Sequence, residues 1–286
     1  MKRIKLTVAY DGTNYCGWQI QPNGLAVQEV LDRCLSEMLK VPVRTIGASR
    51  TDAGVHALGQ VAVFDTEARM PAEKYALALN TRLPEDIRIQ GSCQVPLDFH
   101  PRFARTVKTY EYRIYNRMFP DPTRRLYSFF YYYPLDVERM RQAAAYLVGE
   151  HDFAGFCTAK PEVTNTVRTV YSLDILQEGP MITLRITGNG FLYNMVRIIA
   201  GTLIRVGGGS YPPERVKEIL AVRDRFLAGE TARPEGLTLM EIRYPDWEDK
   251  FAAEEFLAAE KSFSPSENMG FSGKTGKKTV DSPEGL

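Results

Sequence analysis

The sequence predicts an α+β fold built from two tandem ferredoxin-like (RRM-like) halves, whose strands join into one mostly antiparallel β-sheet with the helices on one side. The chain has 286 residues, of which 44% are hydrophobic and 25% charged. This is the size and composition of a globular protein of about two domains. The pattern over 1–104 reads strand, helix, strand, strand, helix, strand, and 105–247 echoes it. We therefore place one half in each of these ranges.

Hydrophobic periodicity places the elements of the first half. Residues 5–10 alternate between apolar and polar side chains, as a half-buried strand does. Apolar residues at helical spacing predict an amphipathic helix over 26–40. Pro71 suits the first position of a second helix, which runs to about Arg82. The remaining strands are predicted over 43–48, 55–64 and 87–95.

The second half follows the same logic. Asp136 is suited to cap a helix, with Gly149 just past its end. The ranges 167–176 and 181–187 are predicted to pair across the intervening turn. Further strands are predicted over 109–115, 129–133 and 236–244, and further helices over 191–206 and 213–221.

Beyond about residue 247 the periodic pattern fades. Residues 248–286 form a tail that becomes rich in Ser, Gly, Lys, Pro and Glu and has little apolar surface to bury. We expect this tail to be poorly ordered.

Composition excludes several classes of protein. No stretch approaches the roughly 18 apolar residues of a membrane span. Residues 1–5 lead into a strand pattern rather than an apolar signal-peptide core, so we expect a cytoplasmic protein. Neither a disulfide framework nor a metal site is expected, because the three histidines lie far apart and there is no CxxC pair among Cys16, Cys34, Cys93 and Cys157.

The formal net charge of +1 hides an uneven distribution. Acidic residues outnumber basic ones over 247–286, so the rest of the chain is mildly basic. Residues 100–125 hold seven Lys or Arg and two acids, interleaved with five aromatic rings. Cations for phosphates beside rings for bases are typical of RNA contact. The alternative is a strand with one solvated basic face.

The most informative segment is 47–64, in which Asp52 stands between Arg50 and Gly54 on a turn that leads into a strand. A carboxylate in that position can act as a nucleophile or a base. The arginine can hold an anion or enter a nucleic-acid helix. The alternative is that Asp52 only caps the turn.

This segment resembles the catalytic loop of the tRNA pseudouridine synthase A family. Other segments resemble that family in the same order along the chain, and together they span about 3–245. These segments are 10–19, 99–104, 108–116, 191–197 and 235–239.

The resemblance implies an isomerase that converts uridine to pseudouridine at positions 38, 39 and 40 of the tRNA anticodon arm. It also implies a homodimer with an active-site cleft between the two halves of each chain. The reaction has no redox step and exchanges bonds of similar strength. No cofactor is therefore expected, whether nicotinamide, flavin or ATP.

The resemblance also assigns roles to the catalytic residues. Asp52 either attacks C1′ of the ribose or takes a proton from the sugar. Arg197 pairs with Asp52, since an arginine among the apolar residues of its helix costs free energy unless it finds an anion; the alternative is that it extends to solvent. The ring of Tyr110 stacks on uracil with its hydroxyl near C5, whereas Tyr112 on the same face serves packing.

Arg50 is expected to fill the space that an everted uridine leaves, or to clamp a phosphate; a structural salt bridge is the alternative. Leu237 is expected to line the uracil pocket or to belong to the core. Three further residues are candidates for phosphate contact: Arg102, Arg105 and Lys108.

Two other functions remain as alternatives. A nucleoside or RNA glycosylase would cut the same bond and release free uracil, although such hydrolases normally use two carboxylates. A non-catalytic RNA-binding module would bind RNA without changing it.

Overall fold

The computed structural model describes residues 1–158 and 165–247, and over these ranges the chain forms five α-helices and a ten-stranded sheet that is mostly antiparallel. The predicted α+β class is thereby confirmed. The predicted disorder of the tail concerns 248–286, which lie outside the described residues. No helix in the described ranges has the length and apolar character needed to cross a membrane.

The strands of the first 104 residues lie at one end of the sheet. They are β1 (Lys2–Tyr10), β2 (Ile46–Gly47), β3 (His56–Thr66) and β4 (Ile87–Val95), with α1 (Val27–Leu39) and α2 (Lys74–Asn80) between them. Their order is β4-β1-β3, all antiparallel, with β2 paired to the distal part of β3. Helix α1 buries the apolar face that its sequence predicts, which includes Val27, Val30, Leu31 and Leu35.

The remaining strands extend the sheet. They are β5 (Val107–Asn116), β6 (Phe129–Tyr131), β7 (Gly149–Asp152), β8 (Val167–Glu178), β9 (Met181–Gly188) and β10 (Leu237–Arg243), and the helices are α3 (Val137–Ala145), α4 (Met195–Gly207) and α5 (Arg215–Val222). Strands β5, β9, β8 and β7 follow one another antiparallel, and β6 runs parallel to the end of β5.

Strand β10 holds the two groups of strands together. It is antiparallel to β5 and parallel to β3, where Thr238 lies opposite His56 and Leu239 opposite Ala57. Gly59 allows this junction, because a Cβ at that position would lie 2.4 Å from the carbonyl oxygen of Met240. The start of β3, and with it the loop before it, thus lies one strand away from β5, across β10.

Some predicted boundaries are wrong, and local backbone geometry explains them. Helix α4 begins at Met195 rather than at 191, because Asn194 adopts a left-handed φ of 62° that a helix cannot contain. Helix α2 begins three residues after Pro71, following a turn. Strand β7 was not predicted, since its four residues are selected by pairing with β8 rather than by a periodic pattern.

Candidate active site

A cavity of about 720 Å³ opens where the loop over 48–55 meets β5 and the start of α4. Seven of the eight predicted site residues line it: Arg50, Asp52, Arg102, Lys108, Tyr110, Arg197 and Leu237. Arg105 is the exception. Its side chain is 68% exposed and lies 3.8 Å from a carboxylate oxygen of Asp246, outside the cavity lining.

The loop that carries Asp52 is pinned from behind by buried polar groups. The Gln60 side chain is fully buried; its Oε1 accepts from the backbone N–H of Ser49 at 3.1 Å and its Nε2 donates to the Ser49 carbonyl at 2.7 Å. The Tyr10 hydroxyl and Thr51 Oγ1 are hydrogen-bonded at 2.7 Å. One buried amide therefore satisfies both backbone groups of Ser49 and supports the backbone that leads to Asp52.

A neighbouring turn packs directly on this loop. Gly17 has a φ of +104°, and a Cβ there would lie 2.4 Å from the carbonyl oxygen of Thr51. The carbonyl of Asp52 accepts from the backbone N–H of Val55 at 3.1 Å and closes its own turn. The segment is therefore a tight, supported turn that aims the Asp52 side chain into the cavity.

Asp52 meets Arg197 inside the cavity. Arg197 Nη1 lies 3.4 Å from Asp52 Oδ2, although the residues are 145 positions apart in the chain. Their side chains are 15% and 24% exposed, respectively, so Arg197 does not extend to solvent. Arg197 Nε also donates to the carbonyl of Ala232 at 2.7 Å. The guanidinium is thus held on one side by backbone and offers its other side to the carboxylate.

Asn194 supplies a third contact to this arginine. Its Oδ1 accepts from Arg197 Nη1 at 3.1 Å, and its Nδ2 donates to Thr158 Oγ1 at 3.1 Å. The left-handed conformation of Asn194 places the amide between these two partners. Asparagine is among the residues that most readily adopt that conformation. Asn194 therefore orients Arg197 toward Asp52.

Tyr110 projects from β5 and is buried. Burial, with a smaller contribution from the charge of Asp52, raises the pKa of the Tyr110 hydroxyl to about 12, although a hydrogen bond with Ser49 lowers it in part. The phenol is therefore protonated at neutral pH. Its ring meets that of Phe191 edge to face, with centroids 5.3 Å apart.

Two residues near Tyr110 in the sheet are also buried. Tyr112 is fully buried, and its hydroxyl donates to the carbonyl of Arg233 at 2.9 Å, so it serves packing. Leu237 lies opposite Tyr112 in the sheet, is 5% exposed, and lines the cavity with one face. The sequence left open whether Leu237 belongs to the core or to the cavity, and the structure places it in both.

Basic side chains also line the cavity. Arg102 Nη2 donates to the carbonyl of Gly47 at 3.1 Å, and Lys108 Nζ donates to that of Ala48 at 3.4 Å. Burial, together with smaller contributions from the charges of Arg102 and Arg168, lowers the pKa of Lys108 to about 8. Arg50 lies on the same loop as Asp52, exposed to solvent.

Comparison with known proteins shows which family the chain belongs to. A family model described as tRNA pseudouridine synthase matches residues 6–104 and 143–245. The chain belongs to that family. The resemblance inferred from the sequence motifs is confirmed.

Individual relatives match over nearly their whole length. A tRNA pseudouridine synthase A of Exiguobacterium sibiricum is 47% identical, over 86% of this chain and 98% of the relative. Proteins of the same name from Geobacter sp. (strain M21) and Thermoanaerobacter sp. (strain X514) are each 48% identical, over 86% and 85% of this chain and the whole of each relative. Among solved structures, a Cbf5-Nop10-Gar1 complex matches 83% of this chain and 47% of its own, at 12% identity and a TM-score of 0.32.

Among the described residues of the synthase cavity, the sequence gives no role to three that act on predicted site residues: Phe191, Asn194 and Arg168. Phe191 and Asn194 stand in the segment 191–197, which carries part of the family resemblance, but the apolar pattern there predicts only a helix. Arg168 lies on β8 and carries no local signal, since only the sheet register brings it near Lys108.

Proposed function

We propose that this chain is a cofactor-independent isomerase that converts uridine to pseudouridine at positions 38, 39 and 40 of the tRNA anticodon arm. The observation that carries the proposal is the 3.4 Å pair of Asp52 and Arg197 in a cavity that Tyr110 also lines. Membership of the tRNA pseudouridine synthase family supports the substrate and the reaction.

The chemistry needs an ionised carboxylate beside the ribose. The C1′–N1 bond breaks, the base turns, a C1′–C5 bond forms, C5 loses a proton and N1 gains one, so substrate and product are isomers. Asp52 serves either by attacking C1′ or by taking a proton from the sugar, and both routes start from its anion. Arg197 stabilises that anion and keeps it in place.

Tyr110 acts next to the base. Because its pKa is about 12, the phenol meets the uracil as a hydrogen-bond donor, and its ring gives the base an aromatic neighbour. Leu237 completes the apolar side of the uracil pocket. The Tyr110 hydroxyl lies near C5, where a proton is finally removed, and it can relay that proton by accepting it at the phenol oxygen while its own proton passes to water.

A uridine stacked in an RNA stem is out of reach of Asp52 and must be everted, at a cost of a few kcal/mol. Arg50 is exposed and lies two residues before Asp52. It is therefore suited to occupy the vacated space in the stem. Arg102, Arg105 and Lys108 contact phosphates of the same strand, Arg105 from outside the cavity.

The architecture also fits two tandem ferredoxin-like halves at 1–104 and 105–247, with the cleft between them. The order β4-β1-β3-β2 in the first is matched by β10-β5-β9-β8 in the second. The family resemblance further favours a homodimer that works in the cytoplasm. Two subunits would pool the phosphate contacts of a body that is only mildly basic.

Incubation with tRNA tritiated at C5 of uridine tests the function. The expected result is release of tritium with an intact chain and no free base. Release of uracil would instead identify a glycosylase, and binding without either product would identify a non-catalytic RNA-binding protein. Analytical ultracentrifugation of the full chain tests the dimer.

A further inference from the structure

The cavity carries more positive charge than its own acid can balance. Among the described residues that line it, five are Arg or Lys and one, Asp52, is acidic. Asp52 is held by Arg197. Three of the other cations, Arg102, Lys108 and Arg168, form one side of the cavity, which we name the basic wall.

Each cation of the basic wall is oriented by backbone carbonyls. Arg102 and Lys108 donate to the loop before Asp52, as described above. Arg168 Nη1 donates to the carbonyls of Asn165 and Val167, at 3.1 and 2.6 Å. Such bonds fix the direction of a cation without neutralising its charge. The wall is therefore preorganised for an anion.

The three cations come from separate elements, so their proximity is a property of the fold. Arg102 precedes β5, Lys108 lies on β5 and Arg168 on β8. Strand β9 brings the last two together, since Gly188 lies opposite both Lys108 and Val170. Placing like charges together costs free energy, and that cost is recovered when an anion binds.

We propose that Arg102, Lys108 and Arg168 form a subsite for a single phosphodiester group of the RNA strand, the one that flanks the everted nucleotide. Lys108 and Tyr110 project from the same face of β5, two residues apart. A nucleotide whose base lies at Tyr110 thus has its sugar–phosphate near Lys108. The planar forks of the two arginines suit phosphate oxygens. This assignment rests on the proposed function for the identity of the RNA.

Binding of an anion at this subsite is expected to be coupled to protonation of Lys108. Lys108 is half-buried, and its ammonium group is the part that is enclosed. Its pKa of about 8 leaves this group partly deprotonated at pH 8 in the free protein. A phosphodiester beside it favours the charged form. Binding therefore takes up protons at pH 8. The charged groups around Lys108 are Arg102 and Arg168, with Arg50 and Asp52 on the loop and the neutral phenol of Tyr110 on its own strand.

Isothermal titration calorimetry of the full chain with an unmodified tRNA transcript tests this, at pH 8 in buffers of different ionisation enthalpy. The wild type is expected to take up a fraction of a proton. In Lys108→Met the uptake disappears, affinity falls on the order of tenfold, and the slope of log K against log salt shrinks by about 0.7 to 0.9. In Lys108→Arg the uptake disappears while the salt slope is kept, since arginine stays charged.

A matched control and a second variant complete the design. Lys74→Met removes an exposed lysine at the start of α2, away from the cavity, and is expected to leave proton uptake and affinity unchanged. Arg168→Gln is expected to lower affinity and the salt slope as Lys108→Met does. The melting temperature of Lys108→Met at pH 7 is expected to rise, because the enclosed charge is removed. Such a rise would show that the variant is folded and that its weaker binding is not caused by unfolding.

The outcomes distinguish the subsite from the proposed function. Unchanged proton uptake or unchanged affinity in Lys108→Met overturns the subsite, even if the wild type makes pseudouridine. If proton uptake depends on Lys108 but the wild type makes no pseudouridine, the subsite is supported and the proposed function is overturned. Uptake with inorganic phosphate but not with tRNA would identify a free-phosphate site and overturn the RNA assignment.

Discussion

Two walls of one cavity handle charge in opposite ways. On what we call the acid wall, Asp52 faces Arg197, and Asn194 and the carbonyl of Ala232 hold that arginine. On the basic wall, the contacts that orient the cations are backbone carbonyls. Under the proposed function, the protein balances charge within itself where bonds are to be exchanged, and leaves charge to be balanced by the RNA where the RNA is to be held.

The largest expected effect lies on the acid wall. Asp52→Asn keeps the shape of the side chain and removes its charge, so turnover of tRNA uridine is expected to fall at least about 1,000-fold. Affinity for tRNA should change by no more than a few-fold, since the basic wall is intact. Single-turnover assays and calorimetry measure the two quantities. Retained turnover would remove Asp52 from the reaction.

The next largest effect on turnover is expected for Arg197→Met. The substitution leaves the partly enclosed carboxylate of Asp52 without its guanidinium partner. We expect turnover to fall on the order of 100-fold, and the free energy of unfolding to fall by about 1 to 3 kcal/mol. Arg205→Met on the same helix is a matched control. Arg205 pairs with Glu230 at the exposed surface, so its loss should cost under about 1 kcal/mol. Equal effects of the two variants on turnover would contradict a special role for Arg197.

Two substitutions of Asn194 distinguish the role of its backbone conformation from the role of its side-chain amide. Asn194→Gly keeps the left-handed conformation but removes the amide that orients Arg197, and turnover is expected to fall about tenfold with little change in stability. Asn194→Ala removes the same amide and also strains the backbone, at a cost of roughly 1 kcal/mol or more. Denaturation and turnover assays on both variants check this. If Asn194→Gly turns over at the wild-type rate, the amide does not position the arginine.

The smallest effect belongs to the basic wall and appears as pH dependence of stability. The pKa of Lys108 is lowered from 10.5 to about 8 in the folded protein, so between these values the unfolded chain binds more protons and stability rises with pH. Relative to Lys108→Met, the wild type should gain about 1 kcal/mol between pH 7 and pH 9. Urea denaturation at the two pH values measures this difference. An equal pH dependence in both proteins would show that Lys108 is not enclosed.

Elements with strong local patterns were predictable. Strand β4 has the predicted bounds, and α1 differs from its prediction by one residue at each end, because their apolar periodicity is unambiguous. Strand β7 and the start of α4 were not predictable. Strand β7 depends on a partner strand, and the start of α4 depends on one left-handed residue. The motif around Asp52 made it the candidate acid, and the resemblance predicted its contact with Arg197, which the structure contains.

The sequence alone determined the residue types and the local elements, since periodicity, capping and turn chemistry act over a few neighbouring positions. It also carried the family, through motifs in a fixed order. The tertiary structure decided which charges meet. Burial of one continuous sheet brings Arg197 to an acid 145 positions away and sets Arg168 beside Lys108 across β9, and Coulomb energies depend on those distances through space rather than along the chain.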